Sequence, residues 1–430
     1  MEKLDKIKPL LRFPAFRQNE EWKEQKFGSL FSFLPNNTLS RADMKEGKGD
    51  VYNVHYGDVL IKLNSYTDIQ QGKLPAIKTV NDIDKYLKAR LQDGDIVIAD
   101  TAEDEAVGKC TEIVNVHDTI VVSGLHTIPC RPQIKFAQAY LGYYINSNAF
   151  HSKLLPIMQG VKVTSISKTA LQNIDLVYPE SLEEQKKIAE CLSSIDAYIF
   201  SINEKVEQLK AHKTSLLQKL FPQNGKNVPE YRFSEFEKDR AWEKMKLGDV
   251  TIVVNRRNKS NRSLPIYSIS NKDGFILQSE QFDGLDSESR GYDISLYKIV
   301  GRNTFAYNPA RINIGSIGYS GDLKEVLISS LYVCFKTTDE LDDEFLICFL
   351  KTAQFNQAVE NNVEGGIRSY LFYENFSRIK ICLPSLLEQK KIASTILSID
   401  EVISKYTDKV SLLEDYKKGL MQQLFPTITK

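Results

Sequence analysis

One segment of this chain is written twice, and it carries a heptad pattern that a lone helix cannot satisfy. SLEEQKKIAECLSSIDAYIFSINEKVEQLKAHKTSLLQKLFP (Ser181–Pro222) returns as SLLEQKKIASTILSIDEVISKYTDKVSLLEDYKKGLMQQLFP (Ser385–Pro426) without a gap, and about half of the positions are identical. In the first copy Ile188, Leu192, Ile195, Ile199, Ile202, Val206, Leu209, Leu216 and Leu220 step by four and three. In the second copy Ile392, Ile396, Ile399, Ile403, Tyr406, Val410, Leu413, Leu420 and Leu424 do the same. A 3.5-residue period held over more than about four heptads specifies a coiled-coil seam. Ser181 with Glu184 and Ser385 with Glu388 predict a capping box at each start, just after Pro179 and Pro384. Phe221-Pro222 and Phe425-Pro426 predict the stops. About 40 residues at 1.5 Å rise make roughly 60 Å of helix. Alone, each helix would leave its seam in water, so the two are expected to pack on each other. Residues 223–384 begin again so soon after Phe221 that an antiparallel pair is favoured, with that domain at the far end. Two lysines, Lys213 and Lys417, interrupt the seam; they fit a register device or side chains snorkelling at frayed ends.

A second, weaker repeat opens each half. RFPAFRQNEEWKEQKFGSL from Arg12 matches RFSEFEKDRAWEKMKLGDV from Arg232, pairing Arg12 with Arg232, Phe13 with Phe233, Phe16 with Phe236 and Gly28 with Gly248. It also pairs Trp22 with Trp242, the only tryptophans in the chain. Between these frames, the inserts at roughly 30–178 and 250–383 barely resemble each other, so the frame has one job and the inserts read two different things. Strands are predicted at Gly94–Asp100, Asp118–Gly124, Ser263–Ser270 and Lys324–Lys336, and helices at Phe136–Met158 and Asp343–Val359. Each insert then passes a Gly turn with a cation two residues on (Gly160 to Lys162, Gly366 to Arg368) and returns through a strand-like stretch, Ile174–Pro179 or Ile379–Pro384. The expected fold class is therefore α+β, with two α/β domains separated by a long antiparallel two-helix coiled coil in a pseudo-two-fold internal repeat. The expected boundaries are 1–180, 181–222, 223–384 and 385–430.

Charge limits what the inserts can bind. The 56 basic and 56 acidic side chains cancel, so any anion-binding surface is local. NRRNKSNR (Asn255–Arg262) is basic and has no acid, offering Arg256, Arg257, Lys259 and Arg262; YNPARINIGSIG (Tyr307–Gly318) sets Arg311 between Asn308 and Asn313 in a turn-rich loop. Arg and Asn bond bidentately to guanine and adenine edges, whereas Lys and Ser more often hold phosphates; the bland alternative is a pair of solvated loops. No apolar run approaches about 18 residues, so no membrane span is expected. MEKLDKIKPLLRF lacks the apolar core of a secretory signal. Six scattered cysteines without a CxxC suit buried thiols in a reducing cytosol. Catalytic motifs are missing: there is no phosphate-loop or HExxH pattern, and Gly108-Lys109 lacks the upstream glycine. Asn308-Pro309-Ala310-Arg311 lacks the second proline and the aromatic that would stack on a flipped adenine. The five histidines are dispersed, and Glu103-Asp104-Glu105 reads as a solvated loop. No residue is given a catalytic or metal-binding role.

RF-x-x-F with a following Trp at the start of each half, SLxEQKKIA at each long helix, GxKVTSIS (Gly160–Ser167) and the LFP terminators together resemble the specificity subunit of type I restriction–modification systems, over essentially the whole chain. The resemblance implies two target-recognition domains, each reading one half of a bipartite double-stranded DNA sequence across a spacer of unread base pairs. It implies that the helices set that spacing and dock two modification subunits, which hold S-adenosylmethionine and methylate adenine. Restriction subunits using ATP and Mg would add translocation and cleavage, leaving this chain without a cofactor of its own, in the bacterial cytoplasm. The DNA-contact set then gains Lys162, Thr164, Ser165 and Lys168, and Arg368 in the second half. There the turn is one residue shorter and lacks the Thr-Ser-Ile-Ser run. Ile188, Leu192, Ile195, Ile199, Leu209, Ile392, Ile396, Ile399, Ile403 and Leu413 form the expected coiled-coil and partner interface. A scaffold whose two inserts bind proteins is the competing reading; a self-sufficient methyltransferase or nuclease is disfavoured by the missing motifs.

Overall fold

A computed structural model of the chain describes residues 7–104, 106–160, 163–223, 225–363 and 370–427. The chain divides into two compact units, Met1–Asn203 with Asp408–Lys430, and Glu204–Thr407. Each unit holds one insert and parts of both long helices, Leu182–Leu220 and Leu386–Leu424, each 39 residues long.

Inside each unit the helices run antiparallel. In the first unit Ile188, Ala189 and Leu192 share a core with Leu424 and Phe425; further on, Asp196 pairs with Lys417 and the Tyr198 hydroxyl takes the Lys409 ammonium at 2.6 Å. Advancing along one helix retreats along the other. In the second unit Leu217, Leu220 and Phe221 meet Ile392, Ala393 and Ile396, and Lys213 pairs with Asp400. The repeat aligns Asp196 with Asp400 and Lys213 with Lys417, so the two ion pairs are the same contact made twice. The lysines do not snorkel: each reaches across the seam to an aspartate, and sliding either pair of segments by a heptad would strand the half-buried charges. The seam ends are not helix-on-helix alone, because the inserts pack into them. Phe425 lies edge-on to Tyr140 and Tyr144, with centroids 6.0 and 5.4 Å away, and Phe221 packs on Phe345 at 5.0 Å.

The two repeats of each half are partners in space. Lys23–Lys26 pairs antiparallel with Asp175–Tyr178, and Glu243–Lys246 with Lys380–Leu383. Above these ribbons Arg12 Nε and Nη2 donate to Glu184 at 2.7 and 2.8 Å, and Trp22 Nε1 donates to the same carboxylate at 3.3 Å. Arg232 and Trp242 treat Glu388 alike, at 2.8, 2.7 and 3.2 Å. The expected capping boxes are thus only half realised. Ser181 and Ser385 hydroxyls do accept the Glu184 and Glu388 N–H groups, but both carboxylates turn to the arginine and tryptophan, a stronger, charge-assisted set of donors. The next residue fastens the insert: Gln185 takes the Ala137 N–H at 2.8 Å and donates to Pro179 O at 2.7 Å, and Gln389 takes the Asp342 N–H at 2.9 Å and donates to Pro384 O at 3.0 Å. The repeated glycine is required by close approach. A side chain at Gly248 would meet Ser377 Cβ at 2.8 Å, and one at Gly28 would meet Gln172 Cβ at 3.1 Å.

Among the described residues each insert has two main sheets, and the first adds a two-stranded ribbon, Thr101–Ala102 with Thr164–Ser165. The first has a five-stranded sheet in the order Phe31–Phe33, Thr127–Pro132, Ile96–Ala99, Cys110–Val114, Tyr66–Asp68, and a four-stranded sheet in which Val51–Val54 runs parallel to Ile120–Ser123. The second has Thr251–Val253, Val333–Thr337, Phe305–Tyr307, Ile317–Tyr319 in one sheet; in the other Ile266–Ser270 runs parallel to Val326–Ile328. The single strand expected over Lys324–Lys336 is two, broken where Tyr332 N–H bonds Ser329 O, and the halves join different sheets. The expected helices are likewise segmented: Tyr140–Ile145 and Asn148–His151 with Leu155–Ile157, and Asp343–Phe349 with Ala353–Asn362, the last started by the Thr352 cap. All six cysteines are free thiols, and five are buried. Among the described residues no helix is long and apolar enough to cross a membrane.

Two stability predictions follow from buried charge. Arg12 and Glu184 side chains are 8% and 1% exposed, so Arg12→Ala strands a buried carboxylate and lowers stability in urea denaturation by about 3–5 kcal/mol. Lys405→Ala breaks an exposed pair with Glu401 and leaves the denaturation midpoint almost unmoved; equal losses would contradict the frame. Glu112 is buried where its carboxylate takes the Ala139 and Gly142 N–H groups, and burial pushes it from the ordinary 4.5 up to about 7. Its folded pKa exceeds its unfolded value, so folding holds a proton that the unfolded chain releases. Stability is greatest below about pH 4.5 on this account and falls through about pH 7. In thermal melts Glu112→Gln flattens that slope; an unchanged slope would refute the assignment.

Candidate nucleic-acid interface

Strand register brings the candidate loops of the second insert together. Val253 and Phe305 both lie opposite Phe335, and both their strands run against Val333–Thr337. They therefore leave the sheet at the same end, and the loops that follow are Asn255–Arg262 and Asn308–Ser316. The returning segment joins them there: Leu371 N–H bonds Pro309 O at 3.0 Å.

The basic loop is held, not free. Asn258 is fully buried; its amide donates to Arg262 O at 2.9 Å and Ile294 O at 3.3 Å, and its oxygen takes the Arg262 N–H at 2.9 Å. This closes a tight loop with Asn261 at φ +47°. Arg256, Arg257, Lys259 and Arg262 are exposed around it. The loop has no acid of its own, but Glu325 supplies one from the strand entry across the fold: its two oxygens take Arg256 Nη1 at 2.5 Å and Arg262 Nη2 at 2.7 Å. Hydrogen bonding from Arg262, then from Arg256, holds the Glu325 carboxyl below the usual carboxylate range. In the neighbouring loop Asn308 is occupied with its own turn, accepting the Ala310 N–H at 3.0 Å, whereas Arg311 and Asn313 are exposed. The turn back to the sheet uses Gly315 at φ +86°.

The first insert repeats the plan. Phe33 and Ile96 both lie opposite Cys130 and their strands leave in the same direction. The loops at this end are Leu34–Asp50 and Asp100–Lys109, and the returning segment is again bonded there, Ile166 N–H to Asp100 O at 2.9 Å. Thr164 and Ser165 form a two-residue strand against Thr101–Ala102. The Thr164 hydroxyl lies within hydrogen-bond reach of two carbonyls, Asp104 O at 2.8 Å and Ala102 O at 3.2 Å, so its single O–H serves the loop's own structure. Lys168 is exposed, with its ammonium 5.9 Å from the Phe33 ring centroid. Lys162 and Arg368, and Glu105 of the acidic run, lie outside the described residues. Among the described residues no cluster of three His, Cys, Asp or Glu side chains is placed to hold a metal.

The interface residues divide into two groups. Ile188, Leu192, Ile392 and Ile396 are buried in the unit cores, while Ile195, Ile199, Leu209, Ile399, Ile403 and Leu413 are half-buried. Outside the seam the long helices also expose Tyr198, Phe200, Leu412 and Tyr416 in one unit, and Leu387 and Val402 in the other. Three groups escaped the sequence reading: Asp196 and Asp400, which answer the seam lysines; Glu325; and the Leu34–Asp50 loop. The aspartates were visible as identical positions of the repeat; Glu325 and the loop had no signal without strand order.

Comparison with known proteins agrees with this architecture. The sequence profile described as the type I restriction modification DNA specificity domain matches residues 19–211 and again 239–412. A Methanocaldococcus jannaschii chain named as the MjaX type I restriction enzyme specificity subunit is 24% identical over 414 residues, covering 94% of this chain and 93% of its own length. The MjaVIII specificity subunit of the same organism is 28% identical over 278 residues, 62% of this chain and 64% of its own. The crystal structure of an S subunit from M. genitalium shares the fold at a TM-score of 0.56 with 14% identity, covering 98% of this chain and 100% of that one. With two domain matches spanning most of its length, bound into a duplicated helix frame, the chain belongs to the specificity subunits of type I restriction–modification systems.

Proposed function

We propose that each insert reads one half of a bipartite DNA target with the end of its first sheet, and that the paired helices set the spacing and carry two modification subunits. The observation that supports this most is convergence: in both inserts three segments far apart in sequence meet at one sheet end, and in the second that end presents Arg256, Arg262 and Arg311. Arg311 and Asn313 suit base edges; Arg257 and Lys259 suit phosphates. Arginines held by Glu325 approach DNA with little rotamer freedom left to lose. Because acid and base balance over the chain, few phosphates are neutralised, and affinity without partners is weak, with a shallow salt dependence. Apolar side chains left exposed on helices whose seam is already used support a protein partner on those faces. This chain has no catalytic role on this reading; S-adenosylmethionine belongs to the modification subunits and ATP with Mg to the restriction subunits.

The test is a gel shift of the chain with and without its methyltransferase partner against random duplex competitor, joined to long-read methylation profiling of a host expressing both. Selective retention that appears with the partner, and a two-part methylation motif, are expected; no selectivity in either state would refute the proposal. Arg311→Ala should relax one position of one half-site by about 1–3 kcal/mol, roughly fivefold to over a hundredfold in discrimination, whereas uniform weakening across sequences would make it a phosphate contact. Asn258→Ala should free the basic loop, seen as several-fold faster tryptic cleavage after Arg256 or Arg257 with the remaining fold intact; unchanged cleavage would show that the loop is held by other means.

A further inference from the structure

The second insert's basic loop has a counterpart in the first that charge patterning hides. The loop Asn255–Arg262 leaves the strand Thr251–Val253 and leads to Ile266–Ser270, the strand that pairs parallel with Val326–Ile328. In the first insert the matching connection is Leu34–Asp50: it leaves Phe31–Phe33 and leads to Val51–Val54, which pairs parallel with Ile120–Ser123. Each connection is pinned by an asparagine. Asn37 donates to Asn53 Oδ1 at 2.7 Å and Ser123 O at 2.9 Å and takes the Leu39 N–H at 3.1 Å, as Asn258 does for its own loop. Each also carries an arginine held by an acid from outside the connection. Arg41 Nη1 meets the buried Asp58 at 2.6 Å, as Arg262 meets Glu325. Arg41 starts a short turn closed by Ser40 and Asp43, whose carboxylate takes the Ser40 N–H and hydroxyl at 2.8 and 2.7 Å.

We propose that Arg41 is the specificity-determining arginine of the first insert and contacts a guanine edge in the half-site read by that insert. This rests on the reading above, that each insert reads DNA with this sheet end. Arg41 is partly exposed, and a guanidinium has five N–H donors; Asp58 at 2.6 Å and Glu46 at 3.5 Å engage only part of that set. The remainder can meet the paired acceptors O6 and N7 of guanine. The loop's charge favours a base over the backbone. Arg41, Lys45 and Lys48 are offset by Asp43, Glu46 and Asp50, so the segment is a poor phosphate holder and an adequate base reader. Of the residues carried over to this half by resemblance, Thr164 and Ser165 pair with Thr101–Ala102 at the end where the first sheet's strands leave, and the Thr164 hydroxyl is occupied by the neighbouring loop.

The experiment uses the full chain assembled with its methyltransferase subunits and long-read methylation profiling. Arg41→Ala leaves the buried Asp58 with only the more distant Lys62 ammonium, 3.6 Å away, so Arg41→Gln with Asp58→Asn is profiled alongside it, and both are checked by thermal melting. The expected result is loss of discrimination by about tenfold or more at one position of one half-site, with the other half-site and the spacer unchanged. A two-part motif identical to that of the unsubstituted chain overturns the inference, as does equal weakening at every target in the folded double variant, the mark of a phosphate contact. If the unsubstituted complex shows no two-part motif, the reading beneath the inference fails instead.

Discussion

Arg12 and Glu184 stand 172 residues apart in the chain and meet through two N–H···O bonds with a tryptophan N–H on the same carboxylate. Arg232, Glu388 and Trp242 do the same across 156 residues. A buried ion pair is tolerated only when its lone pairs and protons are satisfied, and here the third donor completes the set. The consequence is topological. Whatever lies between the opening motif and the long helix must bring its two ends to this site, where the ribbon of strands and the Gln185 or Gln389 clamp finish the closure. A frame closed this firmly lets the insert diverge without losing its place.

The same economy governs the helix seam. Each long segment carries both an aspartate and a lysine, so the antiparallel contact made by Asp196 with Lys417 is made again by Asp400 with Lys213. Apolar seams alone tolerate a heptad slip, because a leucine replaces an isoleucine at small cost; half-buried charges do not. The inserts then anchor the seam ends with aromatic side chains, Tyr140 and Tyr144 on Phe425 and Phe345 on Phe221. What reads in sequence as a coiled coil is therefore part of two domain cores.

The sheet end proposed to read DNA shows how unevenly a candidate site can be legible. Arg256, Arg262 and Arg311 stand out because their loops are rich in Arg and Asn, residues whose chemistry suggests bases. Glu325 could not be found that way, since it lies more than sixty positions from the loop it serves. Arg41 is concealed for a different reason: its loop is charge-balanced, and only the shared strand register reveals it as the partner of the basic loop. Thr164 shows the converse. A motif marked it, but its hydroxyl is engaged by the carbonyls of Ala102 and Asp104.

Periodicity and self-similarity are properties of the order of residues, so the two long helices, their common seam and the duplicated frame were all legible before any coordinates. Local signals also sufficed for most strands, because a short β-rich run bounded by turns leaves few alternatives. Strand order, by contrast, depends on contacts between residues far apart in the chain, and no local pattern encodes it. That is why only the tertiary structure decided which loops share a sheet end, which acid answers which arginine, and why Glu184 and Glu388 abandon their helix caps for a stronger set of donors.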